Sequence, residues 1–226
     1  MVLDTRSHVA SPPHEIKEED LLLDKLAIVF PVTKNTDMRF FRNTWMRKYL
    51  YPVCDWHGPN CRIVCNRDST YRTLDKKTVC FSRALKEVND KEFFIKLDDD
   101  TFVDKDYVVE LLRKYSEHKS PLYISEHSRF VDYRNRNTLN NVLYGNGKFY
   151  MFNKRLVQCL NTEIEYDGWR NEDAVFGGMV RAGCGESSVD YVQEDNTWIW
   201  HKVYENKNKH INLAYIEGSD NNTTAV

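Results

Sequence analysis

The chain has 226 residues, a mass of 26.8 kDa and a net charge of -2, and a chain this long buries roughly 70–75% of its unfolded surface. Nine glycines and six prolines exclude collagen-like and low-complexity chains. The near-balance of 32 Lys and Arg against 34 Asp and Glu excludes a global basic field for nucleic acid or an anionic membrane.

Residues 1–20, with Ser11-Pro12-Pro13 ahead of Glu15, Lys17, Glu18, Glu19 and Asp20, read as a mobile leader. The apolar stretch Leu21–Val32 is interrupted by Asp24 and Lys25 and falls short of the about 20 residues a membrane-crossing helix needs. The N-terminus also lacks the layout of a signal peptide, so a cytoplasmic chain and one separated from its anchor both remain open. Leu26–Val32 suits a buried strand. Met38, Phe41, Trp45 and Tyr49 make a helical stripe over Thr36–Leu50. Cys61–Asn66 reads as a second strand, Lys76–Asn89 as a helix, and Glu92–Leu97 as a short strand running into Asp98-Asp99-Asp100. Asp104 is placed to cap a helix whose Val108, Leu111, Leu112 and Tyr115 share a face. Pro121–Ile124 and Lys148–Phe152 are further strands, Asn153 caps a helix through Leu160, and Asn171–Ala182 is a helix closed by Gly183. Strands alternating with helices predict an α/β fold with a mostly parallel central sheet. The organisation expected is a single domain over residues 21–217 and a loose tail over 218–226, where two overlapping N-x-[ST] sequons begin at Asn221 and Asn222.

The acidic triplet is the feature most rich in chemistry. Ligands of open α/β sheets bind beyond the carboxyl ends of strands, and there Asp98, Asp99 and Asp100 sit. Three adjacent carboxylates repel one another, and a divalent ion bridging a substrate diphosphate would relieve that, with hard oxygen ligands suiting Mg2+ or Mn2+. The plain alternative is a solvated acidic turn in front of the next helix. A phosphatase of the haloacid dehalogenase type, with Asp98 as nucleophile, is the runner-up. Its D-x-D-x-[TV] motif has Phe102 where Thr or Val belongs, and Thr101 arrives one residue early.

Taken with their neighbours, these residues resemble the β-1,3-glycosyltransferases of the galactosyltransferase and Fringe-like group (glycosyltransferase family 31 type). The resemblance covers about residues 26–203. Arg39-Phe40-Phe41-Arg42-Asn43-Thr44-Trp45 is similar to an R-x-x-x-R-x-T-W segment, with the first Arg one residue closer. FIKLDDDTFV, Phe94–Val103, is similar to F-x-x-K-x-D-D-D-x-[FY]-V and is the most specific match. Tyr144-Gly145-Asn146-Gly147 through Asn153 resembles a glycine-rich strand leading to a capped helix, although Lys148 and Phe149 replace small residues. Glu172-Asp173-Ala174-Val175-Phe176-Gly177 resembles E-D-V-x-x-G, and His201 stands where Fringe-like members place a late histidine.

The resemblance implies a GT-A, Rossmann-like fold and a metal-dependent inverting transfer of a sugar from a UDP-sugar donor to a glycan hydroxyl, with a β-1,3 linkage. It implies that Asp100 and His201 hold Mn2+ (or Mg2+), that Asp99 contacts the ribose or sugar of the donor, and that Asp98 shapes the donor-binding turn. Arg39 and Arg42 would meet the nucleotide or diphosphate, with surface ion pairs as the plain alternative. Asp173 would be the general base, the alternative being that Glu172 and Asp173 simply favour a helix start. Gly145 and Gly147 would let the backbone approach substrate, unless they only make a turn. The partners implied are a UDP-sugar and a glycan or glycoprotein acceptor, and the compartment implied is the Golgi or secretory lumen. In such a lumen disulfides are expected within Cys54–Cys80 and between Cys159 and Cys184. Zinc on Cys54, His57, Cys61 and Cys65 lacks the C-x-x-C knuckle. A non-catalytic carbohydrate-binding relative ranks last, because the triplet is intact.

Overall fold

The computed structural model describes residues 17–33, 36, 41, 44–66, 73–132, 138–165, 171–194 and 197–201. The run Leu26–Pro31 forms β1, whose first five residues are buried, as a strand covered on both faces requires. Flanking it in parallel are β2 (Leu50–Cys54) and β4 (Phe93–Leu97), and β3 (Ile63–Val64) extends the sheet beyond β2. On the other side lie β7 (Leu143–Asn153), β6 (Leu122–Arg129) and β8 (Asp190–Gln193), giving the order β3-β2-β1-β4-β7-β6-β8. The pairings among β1, β2, β3 and β4 and between β6 and β8 are parallel, whereas β7 is antiparallel to both its neighbours. The α/β expectation with a mostly parallel sheet therefore holds. A separate antiparallel ribbon joins β5 (Thr101–Val103) to β9 (Ile199–His201).

Period-two alternation sorts the side chains of the sheet into two cores. Leu26, Ile28, Phe30, Ile95 and Leu97 pack against α1 (Glu18–Asp24), α3 (Lys105–Tyr115) and the β5–β9 ribbon. Ala27, Val29 and Phe94 pack against α2 (Leu74–Lys86), α4 (Lys154–Cys159) and α5 (Glu172–Gly183). Three helices start as the sequence indicates. The Asp104 carboxylate accepts from Tyr107 N–H at 2.9 Å, Asn153 Oδ1 accepts from Leu156 N–H at 3.0 Å, and Asn171 Oδ1 accepts from Asp173 and Ala174 N–H at 3.0 and 3.2 Å.

Several expectations change. Helix α1 begins at Glu18, inside the stretch read as a leader, and Glu19 and Glu18 pair with Lys105 and Arg113 of α3. The helix expected over Thr36–Leu50 is, where described, a 3-10 helix over Trp45–Tyr49 that runs directly into β2. Its aromatic stripe reflects docking onto other elements: Phe41 packs on Phe30 and Phe102, and Trp45 Nε1–H donates to Val103 O at 2.9 Å. The strand expected over Cys61–Asn66 shrinks to β3. Gly183 is the last residue of α5, Cys184 follows it as the cap, and among the described residues the glycine with positive φ (77°) is Gly185. A side chain at 183 would collide with Cys159 O and Asn161 N. That close approach is fixed by the disulfide Cys159–Cys184.

All six cysteines are paired, as Cys54–Cys61, Cys65–Cys80 and Cys159–Cys184. This matches the expected pairing regions and removes the zinc reading. No helix among the described residues is long and apolar enough to cross a membrane.

Candidate active site

The parallel strands β1, β2 and β4 end at one edge of the sheet, and the acidic turn leaves β4 there, closed by Thr101 N–H donating to Asp98 O at 3.2 Å. Sequence reasoning missed the residue that organises this edge. Lys96 interrupts the apolar strand Phe93–Leu97, yet its side chain is only 1% exposed. Its Nζ donates to Asp98 Oδ1 at 2.7 Å and to Gly147 O of β7 at 2.8 Å. The same Nζ stands 3.6 Å from Asp173 Oδ1, 3.7 Å from Glu172 Oε1 and 5.5 Å from the centre of the Tyr150 ring. Burial alone would lower the pKa of this ammonium, but the charges of Asp98, Asp173 and Glu172 outweigh it and raise the value above that of an ordinary lysine. The signal was visible in FFIKL, where one lysine stands in an otherwise apolar buried strand.

Asp173 occupies the first turn of α5, fixed there by the Asn171 cap. Its side chain is 15% exposed, and its Oδ1 is buried without a hydrogen bond. Burial pushes its carboxyl up to about 7; Lys96 and the Gly147 N–H oppose the rise, while Glu172 and Asp98 add to it. Gly147 meets this carboxyl directly. A Cβ at that position would lie 2.5 Å from Asp173 Oδ2 and 2.8 Å from Oδ1. The space beside Gly145 is filled in turn by Ser125, while Tyr123 Oη accepts the Gly145 N–H at 2.9 Å. Both glycines thus make room for protein side chains.

Asp99 Oδ2 accepts from Thr36 Oγ1–H at 2.6 Å, and Thr36 Oγ1 in turn accepts from Thr33 N–H at 2.9 Å. The turn therefore rests on the loop that follows β1. A second buried ammonium, Lys77 of α2, pairs with Asp55 at 2.9 Å and donates to Val32 O at 2.8 Å. Burial lowers its pKa against the pull of Asp55 and Asp99. Sequence reasoning missed this pair as well, because nothing local to Lys77 points to Asp55.

Of the other expected site residues, Asp100 lies partly exposed immediately before β5. Thr101 pairs with His201 across the ribbon, so the fold brings the backbones of the two expected metal ligands together. The His201 side chain lies outside the described residues, as do Arg39 and Arg42. Among the described residues no group of three metal-capable side chains forms. Hard carboxylate oxygens at the turn, with position 201 in register beside it, nevertheless fit Mg2+ or Mn2+.

A family model described as galactosyltransferase matches residues 62–191. That span contains the acidic turn, Lys96, Gly147 and Asp173. No curated protein sequence matches. Among solved structures, the chain is similar to a glycosyltransferase involved in the glycosylation of the major capsid of PBCV-1, with 11% identity over 76% of this chain and 81% of that one, TM-score 0.37. It is similar to the bifunctional IspDF of Campylobacter jejuni, with 9% identity over 77% and 51%, TM-score 0.38. A third is a putative glucose-1-phosphate thymidylyltransferase from Bacillus anthracis in complex with a sucrose, with 9% identity over 89% and 97%, TM-score 0.35.

Proposed function

The chain belongs to the galactosyltransferase family, and on that premise we propose that it is a metal-dependent inverting glycosyltransferase that moves a sugar from a UDP-sugar to a glycan hydroxyl, with a β-1,3 linkage. Family membership leaves the phosphatase reading without support. The observation that carries the mechanism is Asp173: a rigidly capped carboxyl whose pKa is pushed up to about 7, one ammonium away from the acidic turn.

Inverting displacement needs one base and no enzyme nucleophile. The acceptor oxygen forms a bond to the anomeric carbon as the bond from that carbon to the diphosphate oxygen breaks, and the hydroxyl proton passes to the Asp173 carboxylate. A base with a pKa near 7 is ionised in useful amount at neutral pH and still takes up a proton readily. Asp100 and His201 would hold Mn2+ or Mg2+, which when bound supplies the positive charge that neutralises the diphosphate leaving group. Asp99, steadied by Thr36, would meet the ribose or sugar of the donor. Asp98, tied to Lys96, shapes the donor-binding turn. Arg39 and Arg42 would meet the nucleotide or diphosphate.

The acceptor class is a glycan or glycoprotein. Three disulfides support an oxidising compartment, and the Golgi or secretory lumen satisfies that condition. A thermal-shift and UDP-release screen of UDP-Gal, UDP-GlcNAc, UDP-GalNAc, UDP-Glc and UDP-GlcA with Mn2+ tests the proposal. One donor should stabilise the protein and be turned over only with the metal, and Asp100→Ala should abolish turnover. Metal-independent UDP release, or release that survives Asp100→Ala, would overturn the metal role.

A further inference from the structure

We infer that Lys96 is a positioning residue for this site, an ammonium clamped between the acidic turn and the start of α5 that holds the Asp173 carboxylate in its ionised, acceptor-ready form. The inference rests on the proposed reaction for its purpose, and on geometry for its content. A buried ammonium is costly unless its hydrogen bonds are met. Lys96 has two acceptors, Asp98 Oδ1 at 2.7 Å and Gly147 O at 2.8 Å. These come from separate elements, the turn after β4 and the strand β7. The Asp173 and Glu172 oxygens at 3.6 and 3.7 Å lie beyond hydrogen-bond range and feel the ammonium through space. One cation therefore ties three elements together, and the Gly147 carbonyl it holds belongs to the residue against which the Asp173 carboxyl rests.

The charge balance around Asp173 gives the arrangement its consequence. The groups that face it are Lys96 from β4, Asp98 from the turn, Glu172 beside it on α5, Tyr144 and Tyr150 from β7, and Tyr123 from β6. Burial raises the pKa of all three phenols, so they stay neutral. Of the groups named, Lys96 alone is cationic, against the two carboxyls of Asp98 and Glu172. Without it, Asp173 would face Asp98 and Glu172 with no cation between them and hold its proton to higher pH. A base that is already protonated cannot accept the hydroxyl proton.

The test is a 13C titration of the Asp173 side-chain carboxyl in aspartate-labelled protein, assigned with Asp173→Asn, read beside the pH profile of kcat. The wild-type midpoint should lie near 7. Lys96→Met should raise it by about one unit or more, and Glu172→Gln, which removes a competing carboxylate, should lower it. The acid limb of kcat should move with each midpoint. If Lys96→Met does not fold, Lys96→Gln removes the charge, retains a donor for Gly147 O, and should give the same upward shift. A midpoint that stays or falls on loss of the Lys96 charge overturns the inference, as does a rate loss equal at every pH, the mark of a merely structural lysine. Wild-type protein that transfers no sugar but shows the two opposite shifts would refute the proposed function and leave the charge clamp standing.

Discussion

Replacing Gly147 with alanine tests whether the site is as tightly built as its distances imply. The added Cβ would lie 2.5 Å from Oδ2, 2.8 Å from Oδ1 and 3.0 Å from Cγ of Asp173, where ordinary contact begins at 3.4 Å. Asp173 has little freedom to yield, because it is fixed at the start of α5 by Asn171 and backed by buried Lys96 at 3.6 Å. Oδ2 must retreat by about 0.9 Å to reach ordinary contact, weakening the Gly147 N–H bond to the carboxylate, at an overpacking cost of about 1–3 kcal/mol. A reacting group displaced by about 1 Å loses roughly 100-fold in rate. Gly147→Ala should therefore lower kcat about 100-fold at saturating donor and acceptor, with donor affinity retained. Gly145→Ala supplies the comparison. Its Cβ would strike Ser125, with Oγ at 2.6 Å, so it should cost stability while sparing the base. Steady-state kinetics beside urea unfolding separate the two effects. A Gly147→Ala enzyme within about threefold of wild-type kcat would refute the packing of the base against this glycine.

Three further outcomes follow from the same structure. The folded pKa of Asp173, about 7, lies above its unfolded value, so the stability it contributes is present in acid and is lost as pH rises through 7. Asp173→Asn should accordingly be more stable than wild type at pH 8, by up to about 4 kcal/mol, and not at pH 4, as urea unfolding at the two pH values would show. Asn153 caps α4 and also accepts from Leu122 N–H at 3.1 Å and donates to Ser120 O at 2.8 Å. Asn153→Ala should thus exceed the usual cap loss of about 1 kcal/mol, and a loss no larger than that would contradict the added role. Reducing Cys159–Cys184, which spans 25 residues, should cost about 3 kcal/mol, measured by unfolding of the double serine variant.

The sequence revealed the parts of the fold and site that are local. Asp104 and Asn153 read correctly as caps because an Asx side chain reaches a backbone N–H only three residues away. FIKLDDDTFV placed three carboxylates at the end of a buried strand, and the register of β5 with β9 sets position 201 next to it. What escaped was set by contacts between distant residues. Pro52 lies inside β2, where a proline argues against a strand, and the stripe ahead of it looked helical although its aromatics dock on β1 and β5. Lys96 and Asp173 lie far apart in sequence and meet only because β7 runs antiparallel to β4 and sets Gly147 between them. Lys77 finds Asp55 across the face of the sheet in the same way.

The most direct test of the account is the turnover of Asp173→Asn with the UDP-sugar that the wild type uses, set against donor affinity by calorimetry. The amide keeps the shape of the side chain and removes the base, so donor affinity should stay near wild type while kcat falls by roughly 10²–10⁴-fold. Transfer by Asp173→Asn at a rate near that of wild type would contradict the assignment of this carboxyl as the base.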